Sequence, residues 1–523
     1  MSDTDIIVIG SGIGGLSCGA LLARYGYRVT VCESHTLPGG AAHGFKVNGF
    51  KFDSGPSLYS GLSYRPSPNP LRQVLDAIEE DVPWANYDTW GCRLPEGEFE
   101  TQVGGDQFCE VLAQLRGSEA IAQWRALQKL MEPYSRAAIA LPVAALRSDL
   151  GAALTLGRQS VRLLPHLSRL SKLRGSFGTL MDEVISDSFV RNWLEMLCFL
   201  ISGLPAEATS AAAMSFLFAD WYRPQVQLDY PMGGSGALVN ALVRGLRKYG
   251  GTLRTDAHVE QVIVEKNRAV GVRLRDTLGQ SKGQGKGSNT LRAKIAVVSN
   301  ASAWDTLKFL PQGSLSPERV QAQAATPECE SFLHLHLGID GAGLPQNLAC
   351  HYIVVNDWEE GITTPQNLIL ISIPSVLDPS LAPPGKHVIH AYTPGNEPFE
   401  MWEDLDPKGD SYQRLKAERT GVIWRAIRRV IPDIRDRCEV TLAGTPLTHA
   451  RFLRRHHGTY GPAWAAGQSN FPGPKTSIKG LFCCGDSTFP GIGLPAVAAS
   501  GMIAAHAIAP VSKQLKMLKD IGL

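Results

Sequence analysis

The 523-residue chain has no excess of either charge: 51 Lys and Arg stand against 49 Asp and Glu, a formal net of +2. That excludes a generally basic coat of the kind that holds nucleic acid, though not a local basic patch. None of the ten cysteines forms a Cys-x-x-Cys pair. A zinc ribbon and a thioredoxin-like motif are therefore excluded, and the cysteine usage points to a reducing compartment. No His-Glu-x-x-His occurs among the thirteen histidines, and no metal is expected. Gly233-Gly-Ser-Gly-Ala lacks the last glycine of a hydrolase elbow. Charge is missing altogether from Ser487 to Ser512, a run long enough to suggest a membrane span. Pro490, Gly491, Gly493 and Pro495 break its first third, and the Ala-rich remainder reads as a buried helix. Met1-Ser-Asp-Thr-Asp enters an apolar strand directly, which predicts no signal or transit peptide. No internal repeat is found.

With 44% hydrophobic and 19% charged residues the chain reads as globular, and its length predicts two to four domains. Asp5-Ile-Ile-Val-Ile-Gly reads as a buried parallel strand. Gly10-x-Gly12-x-x-Gly15 follows, then a helical stripe from Leu16 to Tyr25 and a second strand, Arg28-Val-Thr-Val-Cys, ending at Glu33. This is a βαβ unit of about thirty residues. The first glycine permits a tight turn, the second lets backbone approach a pyrophosphate, and the third lets helix and strand pack closely. The helix N-terminus then faces phosphate charge, and Glu33 sits where a carboxylate accepts a ribose hydroxyl. Pro38-Gly39-Gly40-Ala-Ala is a second glycine turn.

Further along, residues 70–225 read as mostly helical. Thr252 to Leu274 reads as a strand pair turning at Lys266-Asn267, and Leu291 to Asn300 as another strand. Gly279 to Ser288 is a flexible polar loop by composition. A strand at Ser331 and helices at Ala237–Tyr249 and Ser411–Val430 follow from the periodicity. Gly480-Leu-Phe-Cys-Cys-Gly485-Asp486 reads as a buried strand leading to a helix with Pro495 in its first turn. Cys483 and Cys484 point to opposite strand faces, as packing residues.

The glycine-rich unit, Phe45 to Ser57, Tyr230-Pro-Met-Gly-Gly, Ala269-Val-Gly-Val, Val298-Ser-Asn-Ala301 and Gly485-Asp-Ser-Thr-Phe-Pro-Gly together span nearly the whole chain. In these segments it resembles the carotenoid desaturase and isomerase branch of the flavin amine-oxidase-like enzymes, most closely the cyanobacterial-type prolycopene cis-trans isomerases. The resemblance implies an α/β fold. A Rossmann-like FAD-binding domain of the amine-oxidase and phytoene-desaturase type is interleaved with a largely helical substrate domain that adds a mixed sheet. The cofactor domain would comprise residues 1–70, 230–312 and 440–510, the substrate and membrane-facing domain 71–229 and 313–439, and a tail 511–523. The cofactor implied is FAD. Residue by residue, Gly10, Gly12, Gly14 and Gly15 would face its pyrophosphate, Glu33 and Ser34 the adenosine ribose, and Val259 the adenine. Gly39, Gly40 and Ala41 fall at the phosphate–flavin junction, and Gly55, Pro56, Ser57 and Leu58 near the flavin ring. Gly485 and Asp486 match the ribityl or phosphate region, and Gly493, Leu494, Pro495 and Ala496 the helix start beneath the isoalloxazine. Tyr230 to Gly234 mark the return to the cofactor domain.

The same resemblance implies a polyene held in an apolar tunnel, with Ala211 to Tyr222 as wall material. Two reactions fit. One is isomerisation of poly-cis lycopene to the all-trans form with reduced FAD and no net redox change. The other is desaturation or another polyene oxidoreduction (ketolase, retinol-saturase-like), passing electrons to a quinone or oxygen. Neither needs an acid–base triad, so no catalytic side chain is named. Lipid and protein escorts of the same fold, such as the GDP-dissociation inhibitors, would not need Gly12, Gly15, Glu33 and Asp486 together. A basic stretch from Arg147 to Arg174 places Arg158, Arg162, His166, Arg169 and Lys172 on one helical face, with Leu163, Leu164, Leu167 and Leu170 opposite. That is the pattern of a helix lying in a bilayer interface, although Pro165 interrupts it; Ser512 to Lys519 is a weaker second candidate. The expectation is a peripheral protein on the cytoplasmic side of a cyanobacterial cytoplasmic or thylakoid membrane, or in a plastid for a trimmed form. His334 and His336 share a strand face and read as structural, and Arg454 to His457 as a solvated or phosphate-facing edge.

Overall fold

The computed structural model describes residues 4–149, 151–158, 164–170, 172–223, 225–275, 289–468 and 471–523; the polar loop Gly279 to Ser288 lies outside them. Thr4–Ile9, Ile13–Arg24 and Val29–Cys32 form the expected strand, helix and strand. Both strands are buried almost throughout because helices cover the sheet. The sheet runs in the order Thr252–Arg254, Val29–Cys32, Thr4–Ile9, Thr290–Ser299, Arg268–Leu274, Val259–Glu265. Thr290–Ser299 divides one of its edges. Thr290 to Arg292 pair antiparallel with Arg268–Leu274, while Val297 to Ser299 pair parallel with Leu481–Cys483. Its other edge carries Thr4–Ile9. Lys266 and Asn267, both at positive φ, make the expected turn. Thr252–Arg254 departs from the expected pair: it runs parallel to Val29–Cys32 instead.

Ile13–Arg24 packs against Leu494–Ile508 and Ser235–Lys248. Pro70–Ala77 and Ala144–Ala145 join the same core, so these parts of the stretch expected in the substrate domain pack with the cofactor layer. A second seven-stranded sheet runs Cys438–Gly444, Ser331–Asp340, Lys386–Glu397, Leu368–Ser372, His351–Val355, Thr89–Leu94, Gly97–Gln102. Two of these sites differ from expectation. Cys438–Gly444 pairs in this sheet, so the chain leaves it at Gly444 rather than at 440. The stretch read as helical contains three strands, Trp84–Tyr87, Thr89–Leu94 and Gly97–Gln102. A tight turn at Pro95-Glu96 and long-range pairing to His351–Val355 and Leu228–Pro231 override the local helical reading.

Helices Gly105–Leu115, Ser118–Ala140, Ser188–Ser202 and Ala211–Trp221 form the second core, where Trp124, Trp193, Met214 and Phe218 are buried. The basic stretch is not one amphipathic helix. Ala152–Arg158 is followed, after 159–163, by short turns at Leu164–His166, Leu167–Leu170 and Lys172–Arg174, broken around Pro165. Arg162 and Leu163 lie outside the described residues, as do the side chains of Arg158, Leu167 and Leu170. Arg147 is buried against Asp149 and bonds Gln514 and the Ala509 carbonyl. The tail folds as Val511–Asp520 with Gln514, Met517 and Leu518 buried, so its apolar side faces protein. Among the described residues, no helix is long and apolar enough to cross a membrane.

Candidate functional site

The glycine loop closes around a residue that motif reading passed over. Asn300, at the end of Thr290–Ser299, donates its backbone N–H to the Ile9 carbonyl. Its side chain stands where side chains at Gly12, Gly14 and Gly485 would have to go, 2.9, 2.7 and 2.8 Å from a Cβ at each. A Cβ at Gly15 would fall 2.2 Å from the Gly10 carbonyl oxygen, and Gly10 turns at φ 91°. Gly501 lets the helix Leu494–Ile508 cross Ile13–Arg24 at the Gly14 carbonyl, 2.3 Å from its Cβ position. In the sequence Asn300 stood after a buried strand and within the Val298-Ser-Asn-Ala301 segment, with no role assigned to it.

Glu33 is buried at the end of the second strand. One carboxylate oxygen accepts from the Ser11 N–H and hydroxyl, at 2.8 and 2.6 Å; the other accepts from the His35 N–H and the Ser34 hydroxyl. Ser11, absent from the expected set, thus couples the glycine loop to the acid. Gly39 bridges to Gly12, and a Cβ at Gly40 would lie 3.2 Å from the Gly12 Cα. A Cβ at Gly55 would lie 2.6 Å from the Ala41 carbonyl, which brings Gly55, Pro56, Ser57 and Leu58 beside the second glycine turn. Ala257 donates to the Glu33 carbonyl, so Val259, buried, enters its strand alongside Glu33. Asp486 follows Gly485 and pairs with Arg455, which also donates to the Thr459 and Tyr460 carbonyls. Arg455 is therefore an internal strut of the site, not part of a solvated edge. His456 and His457 do reach outward, to Glu328. Gly493, at φ 97°, precedes the helix; its first turn, Leu494, Pro495 and Ala496, stays partly exposed while Ala498 to His506 are buried.

Below this surface lies Asp53. It accepts from the Ser235 N–H and hydroxyl at 2.8 Å and from the Tyr230 hydroxyl at 3.2 Å, which fastens the Tyr230 to Gly234 turn. Burial pushes its carboxyl up to about 6. His334 and His336, read from the sequence as structural, meet His390 from the neighbouring strand. The rings of His336 and His390 stack at 4.4 Å, and His449 lies 4.6 Å from His334. Burial holds His336 down to about 4 and His334 and His390 well below the usual imidazole range. Gly15-Leu-Ser-Cys-Gly19 does match hydrolase-elbow spacing, but Ser17 is inside a helix and fully buried, so it is no nucleophile.

The residues suit an FAD. The Gly10 to Gly15 turn excludes side chains where a pyrophosphate must meet a helix N-terminus, and a buried carboxylate ends the second strand as ribose recognition requires. Comparison with known proteins agrees. The flavin containing amine oxidoreductase family matches residues 13–509. The chloroplastic prolycopene isomerase of Daucus carota is 32% identical over 512 residues, covering 97% of this chain and 80% of that protein. The neurosporene-forming phytoene desaturase of Rhodobacter capsulatus is 24% identical, covering 97% and 94%. An oxidoreductase from Methanosarcina mazei has the same fold, with a TM-score of 0.60 at 18% identity, covering 95% of this chain and 99% of its own. The chain therefore belongs to the flavin-containing amine oxidoreductase family, in the branch of the prolycopene isomerases, and is an FAD-dependent enzyme.

Proposed function

We propose that this enzyme converts poly-cis lycopene to all-trans lycopene with reduced FAD and no net redox change. The observation that carries the reading is the 32% identity to a prolycopene isomerase along 97% of the chain. Reduced FAD supplies the electron or proton that transiently lowers double-bond order; the protein's part is to bind, orient and keep out water. Gly10, Gly12, Gly14 and Gly15 present the helix N-terminus to the pyrophosphate, Glu33 and Ser34 hold the ribose, and Val259 lies by the adenine. Gly39, Gly40 and Ala41 hold the phosphate–flavin junction, and Gly485 and Asp486 the ribityl region with Arg455 behind them. Gly493 to Ala496 and Gly55 to Leu58 flank the flavin ring. The division of work follows the chain: 1–70, 230–312 and 440–510 for the cofactor, 71–229 and 313–439 for the polyene, with the strand and helix exchanges described above.

A carotene is insoluble in water, so its enzyme must draw it from a bilayer. Leu154 and Leu164, each 63% exposed, with Arg169, Lys172 and Arg174 nearby in sequence, suit docking on an anionic membrane face, cytoplasmic or thylakoid. Incubating the protein with reduced FAD and poly-cis lycopene in liposomes, without oxygen, tests the reading. An all-trans product of unchanged mass is expected; untouched substrate would sink it. Similarity to a phytoene desaturase favours a second reading, desaturation with oxidised FAD and a quinone acceptor. Products of lower mass would establish that one instead.

A further inference from the structure

The histidines on the second sheet are arranged in a way that no packing role requires. His334 Nδ1 and His390 Nε2 lie 2.7 Å apart in one hydrogen bond. The remaining nitrogens, His334 Nε2 and His390 Nδ1, are buried without a hydrogen-bond partner. A neutral imidazole carries one N–H and one bare nitrogen. If His334 Nδ1 donates, the pair leaves a bare nitrogen at His334 Nε2 and an N–H at His390 Nδ1; if it accepts, the two ends exchange roles. In either state one end offers a proton and the other can take one. His336 differs: its Nε2 donates to the Asp53 carbonyl at 3.0 Å, which fixes its tautomer.

The two histidines adjoin different parts of the molecule. His334 lies against His449, from the helix Pro446–Leu453 that leads into the Arg455–Asp486 pair. His390 forms part of the wall of a cavity of about 10 Å³, room for about one water. Asp53, Ser57, Tyr230 and His351 are among the other residues of that wall, and Ser57 bonds the Tyr392 hydroxyl at 3.0 Å. We propose that His334 and His390 form a two-residue proton wire joining the cofactor side of the site to the Asp53 cavity. A proton leaving at the cofactor end is replaced by one entering at the other end, and the pair stays neutral as both tautomers switch. A flavin bound there would take up one proton for two electrons received singly from a one-electron donor, such as a reduced iron–sulfur protein, and the pair would supply that proton. This role rests on the isomerase reading, in which the flavin is reduced by an electron donor; a flavin reduced by hydride from the polyene would draw no proton through the pair.

A metal fits the cluster less well, although the three histidines place ligand atoms within 4.8 Å of one another. The His336 and His390 rings are parallel to 6°, so their in-plane nitrogens cannot both point at one ion between them. The test uses the FAD-loaded protein labelled with ¹⁵N-histidine. The wire requires His334 and His390 nitrogen shifts averaged between protonated and bare values at neutral pH; a single fixed tautomer would overturn it. A second measurement follows proton uptake with an indicator dye while dithionite reduces the bound flavin. Gln at either position keeps a hydrogen bond but cannot pass a proton, so H334Q and H390Q should slow uptake by at least ~10-fold. Uptake at the wild-type rate in either variant would overturn the proposal. So would stoichiometric Zn²⁺ binding by the wild type that H390Q abolishes, because the ion would occupy the nitrogens the wire needs.

Discussion

At the scale of single residues, the cofactor loop is specified by what cannot be there. Gly15→Ala would set a methyl 2.2 Å from a backbone carbonyl, and neither partner is a side chain that can swing away. The expected cost is about 1–3 kcal/mol of overpacking with loss of the yellow flavin from purified protein; a variant that retains FAD and melting temperature would refute this. Asp53 gives a different kind of prediction. Its carboxyl is raised to about 6 from an ordinary 3.8, so between those values the fold holds a proton that the unfolded chain has lost. Its contribution to stability therefore falls as pH rises through that window. Asp53→Asn, which can still accept from Ser235, should remove this component, seen as a changed slope of melting temperature between pH 4 and 6.

At the scale of elements, Arg455 links the end of one helix to the loop after Leu481–Cys483. Replacing it with Met leaves the Asp486 carboxylate without its guanidinium partner and frees the 459–460 carbonyls. FAD affinity should weaken roughly tenfold or more, the size of one charge-assisted hydrogen bond; titration of the apoprotein measures it, and unchanged affinity would remove Arg455 from the site. The elements also show what could be read in advance. The first βαβ unit was legible because its glycines, strand spacing and acid are neighbours in sequence. Asn300 and Ser11 were not, since their roles arise only when distant strands bring them to the loop. The histidine pair was half visible: the alternation placed His334 and His336 on one face, but His390 and His449 arrive through sheet register and a returning helix. Of the strands from Trp84 to Gln102, Trp84–Tyr87 and Thr89–Leu94 have partners far along the chain, whereas Gly97–Gln102 closes a local hairpin that the helical reading overlooked.

At the scale of the whole molecule, buried histidines set the acid limit. Desolvation lowers His336 and His506 to about 4 and His351 to about 3. They are neutral in the fold but become charged in the unfolded chain below their ordinary 6.5. Each contributes stability that is present above 6.5 and is lost as pH falls, by about 1.4 kcal/mol per unit. Asp53, Asp229, Glu195 and Glu330, raised by burial, act in the opposite sense, but His334, His390 and His449 join the depressed histidines and outweigh them, so melting temperature should drop from pH 7 to pH 5. His506→Gln should flatten that drop, while a melting temperature constant over the range would contradict the prediction. The divided edge of Thr290–Ser299 has a last consequence, for how the molecule is made. During synthesis Thr4–Ile9 gains one neighbour, Val29–Cys32, almost at once, but its other neighbour, Thr290–Ser299, emerges hundreds of residues later, and Leu481–Cys483 later still. The nascent chain must therefore carry an unfinished sheet, edges open, through most of its synthesis. The cofactor layer can be completed, and FAD held in full, only after Leu481–Cys483 and the helix that follows it have been made.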